Sequence, residues 1–193
     1  MYMNSRSTSK VLDNYSGQLL LAHPSLKDPN FEKTVVLVSV HSDEGTIGIV
    51  LNRPIGKNLS EIDPNHSNDL CSDLPVFDGG PVATDQIIVV AWQFIDSENL
   101  QGFKLYFGIT LDKASELMQA NPETCVQCYL GHSGWEKDQL DYEIKEGAWV
   151  AVALQTEEWL DGDDGSNLWK KLIGKTSVEM KLLVNAPEDP FKN

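Results

Sequence analysis

The spacing of apolar and polar positions changes period several times along the chain, and each change marks an element. Gln18–Ala22 is a short apolar run closed by His23-Pro24, and Ser25–Asn30 is a turn with Asp28-Pro29-Asn30 as its breaker. Thr34–Val40 is a nearly unbroken β-branched run, the composition of a strand buried on both faces. Thr46–Leu51 follows after the tight connection Ser42–Gly45 and ends at Arg53-Pro54, so the two runs are expected to form a hairpin. Ile87–Trp92, Lys104–Ile109, Thr124–Leu130 and Trp149–Leu154 supply further strands, with Gly131–Gly134 expected as a turn. Leu140, Tyr142 and Ile144 alternate with charged residues, which predicts a half-exposed strand.

Helical spacing is rarer. Thr110 is placed to cap Leu111–Ala120, where Leu111, Ala114, Leu117 and Met118 share a face. Ser166 is expected to cap Asn167–Ile173, with Leu168, Trp169, Leu172 and Ile173 as a core stripe, and Asn58–Ile62 suits a short helical turn. Strands dominate and helices interrupt them without the βαβα rhythm of a doubly wound sheet, so the expected class is α+β. The organisation predicted is a disordered tail over residues 1–14, one domain over 15–180 and a C-terminal tail over 181–193.

Charge narrows the partners. With 15 Lys and Arg against 29 Asp and Glu, the chain carries a net charge of −14, a field that repels phosphate backbones. Direct nucleic-acid binding is therefore not expected, and neither is a membrane, since no stretch nears the roughly 20 apolar residues of a spanning helix. The three cysteines, Cys71, Cys125 and Cys128, are an odd number without an export signal, which argues for the cytoplasm and against a disulfide framework.

The motifs that invite chemistry are incomplete. Gly131-His132-Ser133-Gly134 resembles a nucleophile elbow, yet none of His23, His41, His66 and His132 follows Ser133 in the order that fold requires. Cys125-Val126-Gln127-Cys128 on a strand points its thiols to opposite faces, and no second pair completes a zinc site. Asp161-Gly162-Asp163-Asp164-Gly165 reads as a solvated loop. No cofactor, metal set or catalytic residue is assigned. What remains is a polar set at strand ends and turns: His41, Asn52, Arg53, Gly79, Gly80, Trp135 and Gln139. Two readings of this set stand open. One is a non-enzymatic binding or regulatory protein with a small-molecule or protein partner. The other is an enzyme on a small anionic substrate, with His41 as base, Arg53 and Asn52 as anchors, and the Gly79-Gly80 amides as an anion nest.

These same segments carry a family likeness. Gly17-Gln18-Leu19-Leu20, His23-Pro24, Asp28-Pro29-Asn30-Phe31, Gly48-Ile49-Val50-Leu51-Asn52-Arg53-Pro54, Gly79-Gly80-Pro81-Val82, Gln139-Leu140, Glu143 and Gly147-Ala148-Trp149 together resemble the bacterial YqgE/AlgH family. The likeness runs from about Gly17 to Ile173. The family usually has G-Y-A-G-W where this chain has Gly131-His132-Ser133-Gly134-Trp135, so His132 and Ser133 are not family-wide features. The resemblance implies a coiled, partly barrel-like, mostly antiparallel sheet surrounded by a few helices. It also implies a label of transcriptional regulator, for which the sequence supplies no DNA-reading motif.

Overall fold

The structure, a computed structural model, describes residues 14–66, 70–97, 100–154 and 165–185. β1 (Gln18–Ala22) lies between β2 (Val35–Ser42), which turns through Asp43-Glu44 into β3 (Gly45–Val50), and the late strand Trp149–Ala153. The expected hairpin is present, with a bulge between Val38 and Val40. Alternation along β1 and β2 is as the apolar runs predict. Leu19, Leu21, Val35 and Leu37 enter one core cluster, while Leu20, Ala22, Val36 and Val38 enter another on the opposite face. Only the first half of β2 is buried on both faces; Val40 is exposed.

Past β3 the chain forms β4 (Pro54–Asn58), the single-turn α1 (Leu59–Ile62), a 3-10 turn at Pro64–His66, and β5 (Pro75–Asp78). The long hairpin of β6 (Val82–Ser97) and β7 (Leu100–Ile109) follows. Then come α2 (Leu111–Ala120), capped by Thr110 as expected, β8 (Cys125–Trp135), α3 (Gln139–Lys145) and β9 (Trp149–Ala153). α4 (Ser166–Thr176) and α5 (Val178–Asn185) complete the described residues. α5 crosses the boundary expected at residue 180, and residues 1–13 and 186–193 of the two tails lie outside the described ones. The nine strands form one open mixed sheet of α+β class, in which β5 and β8 are the parallel pair.

β8 is the seam of this sheet. β6 runs antiparallel along one edge, while β5 and then β3 share the other. Gly79 sits at the changeover: its N–H donates to the Leu130 carbonyl and its own carbonyl accepts from Val50. From there Gly80-Pro81 carries the chain across β8 to start β6. A Cβ on Gly79 would lie 2.3 Å from the Gly131 carbonyl, and one on Gly80 2.5 Å from the His132 backbone. One on Gly131 would lie 2.5 Å from the Gly80 carbonyl. Glycine is required on both sides because backbone passes directly over backbone. This corrects the expected turn at Gly131–Gly134: those residues continue β8, and their glycines admit the crossing.

Two further expectations are corrected. Residues 139–145 are helical, since Leu140, Glu143 and Ile144 stand at i, i+3 and i+4 and face inward, leaving Tyr142 exposed. Ser166 opens α4 rather than capping it; Gly165 holds the cap position at φ +47°. The expected α4 stripe does pack, with Leu168, Trp169 and Ile173 buried and Leu172 beside them. The Trp169 indole N–H donates to the Ala22 carbonyl at 2.8 Å and docks the helix on β1.

Candidate functional site

The end of β3 organises the first part of the polar set. Asn52, 5% exposed, holds three backbone groups at once. Its Oδ1 accepts from Val35 N at 2.8 Å, and its Nδ2 donates to the carbonyls of Lys33 at 2.9 Å and Gly165 at 2.8 Å. Arg53 reaches the same 28–33 turn: Nη2 donates to the carbonyl of Pro29 at 3.0 Å and approaches that of Glu32 at 3.5 Å. Its hydrogen-bond partners are main-chain carbonyls, not the internal carboxylate that a guanidinium beside a proline suggests. Asn52 and Arg53 thus clamp that turn and tie it to the start of α4.

The other side of the turn meets an aromatic box. Phe31 stacks on Trp135 at 5.9 Å and meets Trp149 edge-on at 5.5 Å; the two tryptophans are themselves 5.9 Å apart. Glu143 sits at their polar edge. Its Oε2 accepts both indole N–H groups, at 2.9 and 2.8 Å, and its Oε1 accepts from Gln139 Nε2 at 2.8 Å. Gln139 Oε1 in turn accepts from Glu136 N. Tryptophan indoles seek such acceptors when buried. Glu143 enters the sequence reading only through the family likeness; its i, i+4 spacing from Gln139 was the available local signal.

His41 lies elsewhere. It pairs with Thr46 beside the β2–β3 turn, whereas Asn52 is six residues further on, on the order of 20 Å at 3.3 Å per residue. Its Nδ1 contacts Thr46 Oγ1 at 2.7 Å, Tyr15 packs edge-on at 5.1 Å, and Nε2 is buried with no hydrogen-bond partner. The Gly79 N–H is taken by Leu130 and the Gly80 N–H by Asp78 Oδ1 at 3.1 Å, so neither amide is open to an anion. The seven residues therefore form three separate groups: the Asn52–Arg53 clamp with Trp135 and Gln139 on the far side of its turn, the glycine crossing, and His41.

The remaining motifs are placed as follows. Ser133 is fully buried, with Oγ 3.4 Å from the Gly79 carbonyl, in the geometry of a sealed strand position. Cys125 and Cys128 face opposite cores, and all three thiols are free. Burial pushes the Cys128 thiol up from its ordinary 9.0 to about 12, and burial also raises Cys125, so neither suits a nucleophile. Among the described residues no group of three His, Cys, Asp or Glu could hold a metal ion, and Asp161–Asp164 lie outside them. No described helix is long and apolar enough to cross a membrane. One feature had no counterpart in the sequence reading: a cavity of about 430 Å³ between α4 and α5, lined by Lys170, Lys171, Lys175 and Lys181.

Comparison with known proteins matches the AlgH-like family model (DUF179) over residues 19–181. A UPF0301 protein of Streptomyces avermitilis is 31% identical over 190 residues, covering 94% of this chain and 97% of the relative. One of Bacteroides fragilis is 29% identical, covering 92% and 90%. The solution structure of AlgH from Pseudomonas aeruginosa superposes with a TM-score of 0.63 at 26% identity, covering 98% of this chain and all of that one. A crystal structure of a Corynebacterium diphtheriae protein gives a TM-score of 0.67 at 17% identity, covering 89% and 92%, which shows the shared fold.

Proposed function

The chain belongs to the AlgH-like family, and we propose that it is a non-enzymatic binding or regulatory protein working in the cytoplasm through a small-molecule or protein partner. One observation carries this reading: the side chains and amides best suited to chemistry are committed to holding the fold. Asn52, Trp135 and Gln139 direct their polar atoms at named internal partners, Arg53 grips a turn, and the Gly79 and Gly80 amides are occupied. His41, the most apt general base, has one nitrogen on Thr46 and the other sealed from solvent. A base that cannot reach a substrate proton directly or through water does not catalyse its transfer. The regulatory label attached to the family fits action through a partner rather than on a duplex, because a net charge of −14 opposes phosphate-backbone contacts. Three free thiols, two of them buried, suit a reducing compartment.

The test is turnover. The purified chain, given a broad panel of esters, phosphoesters and peptides, should yield no product above a heat-denatured control. Turnover that disappears in both Arg53→Ala and His41→Ala would refute the reading and restore a site at those residues.

A further inference from the structure

We propose that the cavity between α4 and α5 is a binding site for a small metabolite carrying two phosphate groups or a diphosphate. The helices converge on it by simple periodicity. Asn167, Lys170, Lys171, Gly174 and Lys175 stand at i, i+3, i+4, i+7 and i+8 of one α4 face, opposite the buried Leu168–Trp169–Ile173 stripe. Lys181, Val184 and Asn185 supply i, i+3 and i+4 from α5. Gly174 lets the helices approach: its position for a Cβ is 3.8 Å from the Val184 side chain and 3.9 Å from Lys181 Cα.

The charge of this place is unlike the rest of the chain. Four of the 15 basic residues line one cavity of about 430 Å³, no acidic residue lines it, and the chain as a whole is at −14. A lysine in the last turn of a helix is explained by the helix dipole, which accounts for Lys175 alone. Lys170 and Lys171 lie earlier in α4 and Lys181 comes from another helix. Four ammonium groups about one cavity repel each other, and a polyanion seated among them removes that cost.

The lining also selects the ligand class. Lysine serves phosphate as a point charge, and two phosphates at about −2 each balance four ammonium groups. The volume falls within the usual range of ligand pockets, which leaves room for a short carbon frame. Asn167 and Asn185 add amide donors and acceptors for its hydroxyls. No aromatic side chain lines the cavity, so nothing is placed to stack a nucleobase. An extended nucleic acid would meet the acidic remainder of the surface, whereas a compact ligand would not.

The inference rests on the binding reading above, and the experiment separates the two. The full chain is titrated calorimetrically with pyrophosphate, without divalent metal and at about 50 mM salt, with citrate as a carboxylate control. One saturable site is expected, tighter for pyrophosphate than for inorganic phosphate or citrate and weakened by added salt. The double variant Lys170→Ala/Lys181→Ala should bind at least tenfold more weakly, and Lys137→Ala, in the turn before α3, should bind as wild type. Absence of saturation at millimolar pyrophosphate, equal binding of citrate, or unchanged affinity in a folded double variant would each overturn the site. Phosphorus NMR of the same mixtures reads the other question: intact pyrophosphate upholds a binder, while hydrolysis lost in the double variant keeps the site and refutes the non-enzymatic reading.

Discussion

Removing the Asn52 side chain isolates the difference between a structural tie and a ligand contact. Asn52→Ala deletes an acceptor and two donors in a position 5% exposed and leaves Val35 N–H, within the core-facing start of β2, without its partner. Three neutral hydrogen bonds at ~1 kcal/mol each give about 3 kcal/mol, and an unpaired buried N–H adds about 1 kcal/mol. The expected loss is about 4 kcal/mol, a large share of the stability of an ordinary domain. With a urea m-value of about 2 kcal/mol/M, the midpoint followed by far-UV circular dichroism falls by about 2 M. For a chain of this size Tm falls by roughly 8–16 °C. Asn52→Asp keeps the acceptor for Val35 but turns a carboxylate toward the Lys33 and Gly165 carbonyls, so it should be no better. A loss under about 1 kcal/mol with unchanged m in Asn52→Ala would refute the tie and return Asn52 to the candidate ligand contacts.

Three other outcomes follow from the same geometry. Glu143→Ala strands the two indole N–H groups of Trp135 and Trp149 and should cost about 3 kcal/mol in urea titration, with shifted tryptophan emission; Glu143→Gln, which retains one acceptor oxygen, should lose less. Gly80→Ala forces a Cβ onto the His132 backbone at φ +139° and should cost about 3 kcal/mol or more, whereas Gly147→Ala, at φ +76° with open space around it, should cost about 1 kcal/mol. Equal losses in the two would dismiss the backbone crossing. The Cys128 thiol, raised from 9.0 to about 12 in the folded chain, binds its proton more tightly folded than unfolded. Its contribution is fully present below pH 9 and lost between pH 9 and 12, at up to about 1.4 kcal/mol per pH unit. Cys128→Ser should flatten that alkaline slope in denaturant titrations; an unchanged slope would mean other groups produce it.

What the sequence made legible was whatever depends on one segment at a time. β1, β2 and β3 were readable because β-branched runs bounded by turn residues have one good solution, and α2 because Thr110, the apolar face and Asn121-Pro122 agree. Gly131–Gly134 misled because glycine that admits a crossing strand looks, in sequence, like glycine that turns a chain. α3 misled because Leu140, Tyr142 and Ile144 satisfy a period of two, while the i, i+3, i+4 set that includes Glu143 needs a polar residue to face inward. Only the tertiary partners at Trp135 and Trp149 make that sensible. The polar set was identified by residue type at strand ends, which does not distinguish Arg53 holding carbonyls from Arg53 holding a ligand. The lysine cavity escaped notice because two lysine pairs at helical spacing matter only once α5 lies beside α4.

The central claim, that the polar set builds the fold and binding occurs elsewhere, is tested most directly by a thermal-shift screen. Metabolites, nucleotides and divalent metals are run in parallel on wild type and Arg53→Ala, since a ligand bound only by the folded state raises Tm. The account predicts that Arg53→Ala starts from a lower Tm and that every ligand stabilising the wild type raises it by the same increment. A ligand whose shift vanishes in Arg53→Ala while the variant remains folded would place a binding site at the Arg53 clamp and contradict the account.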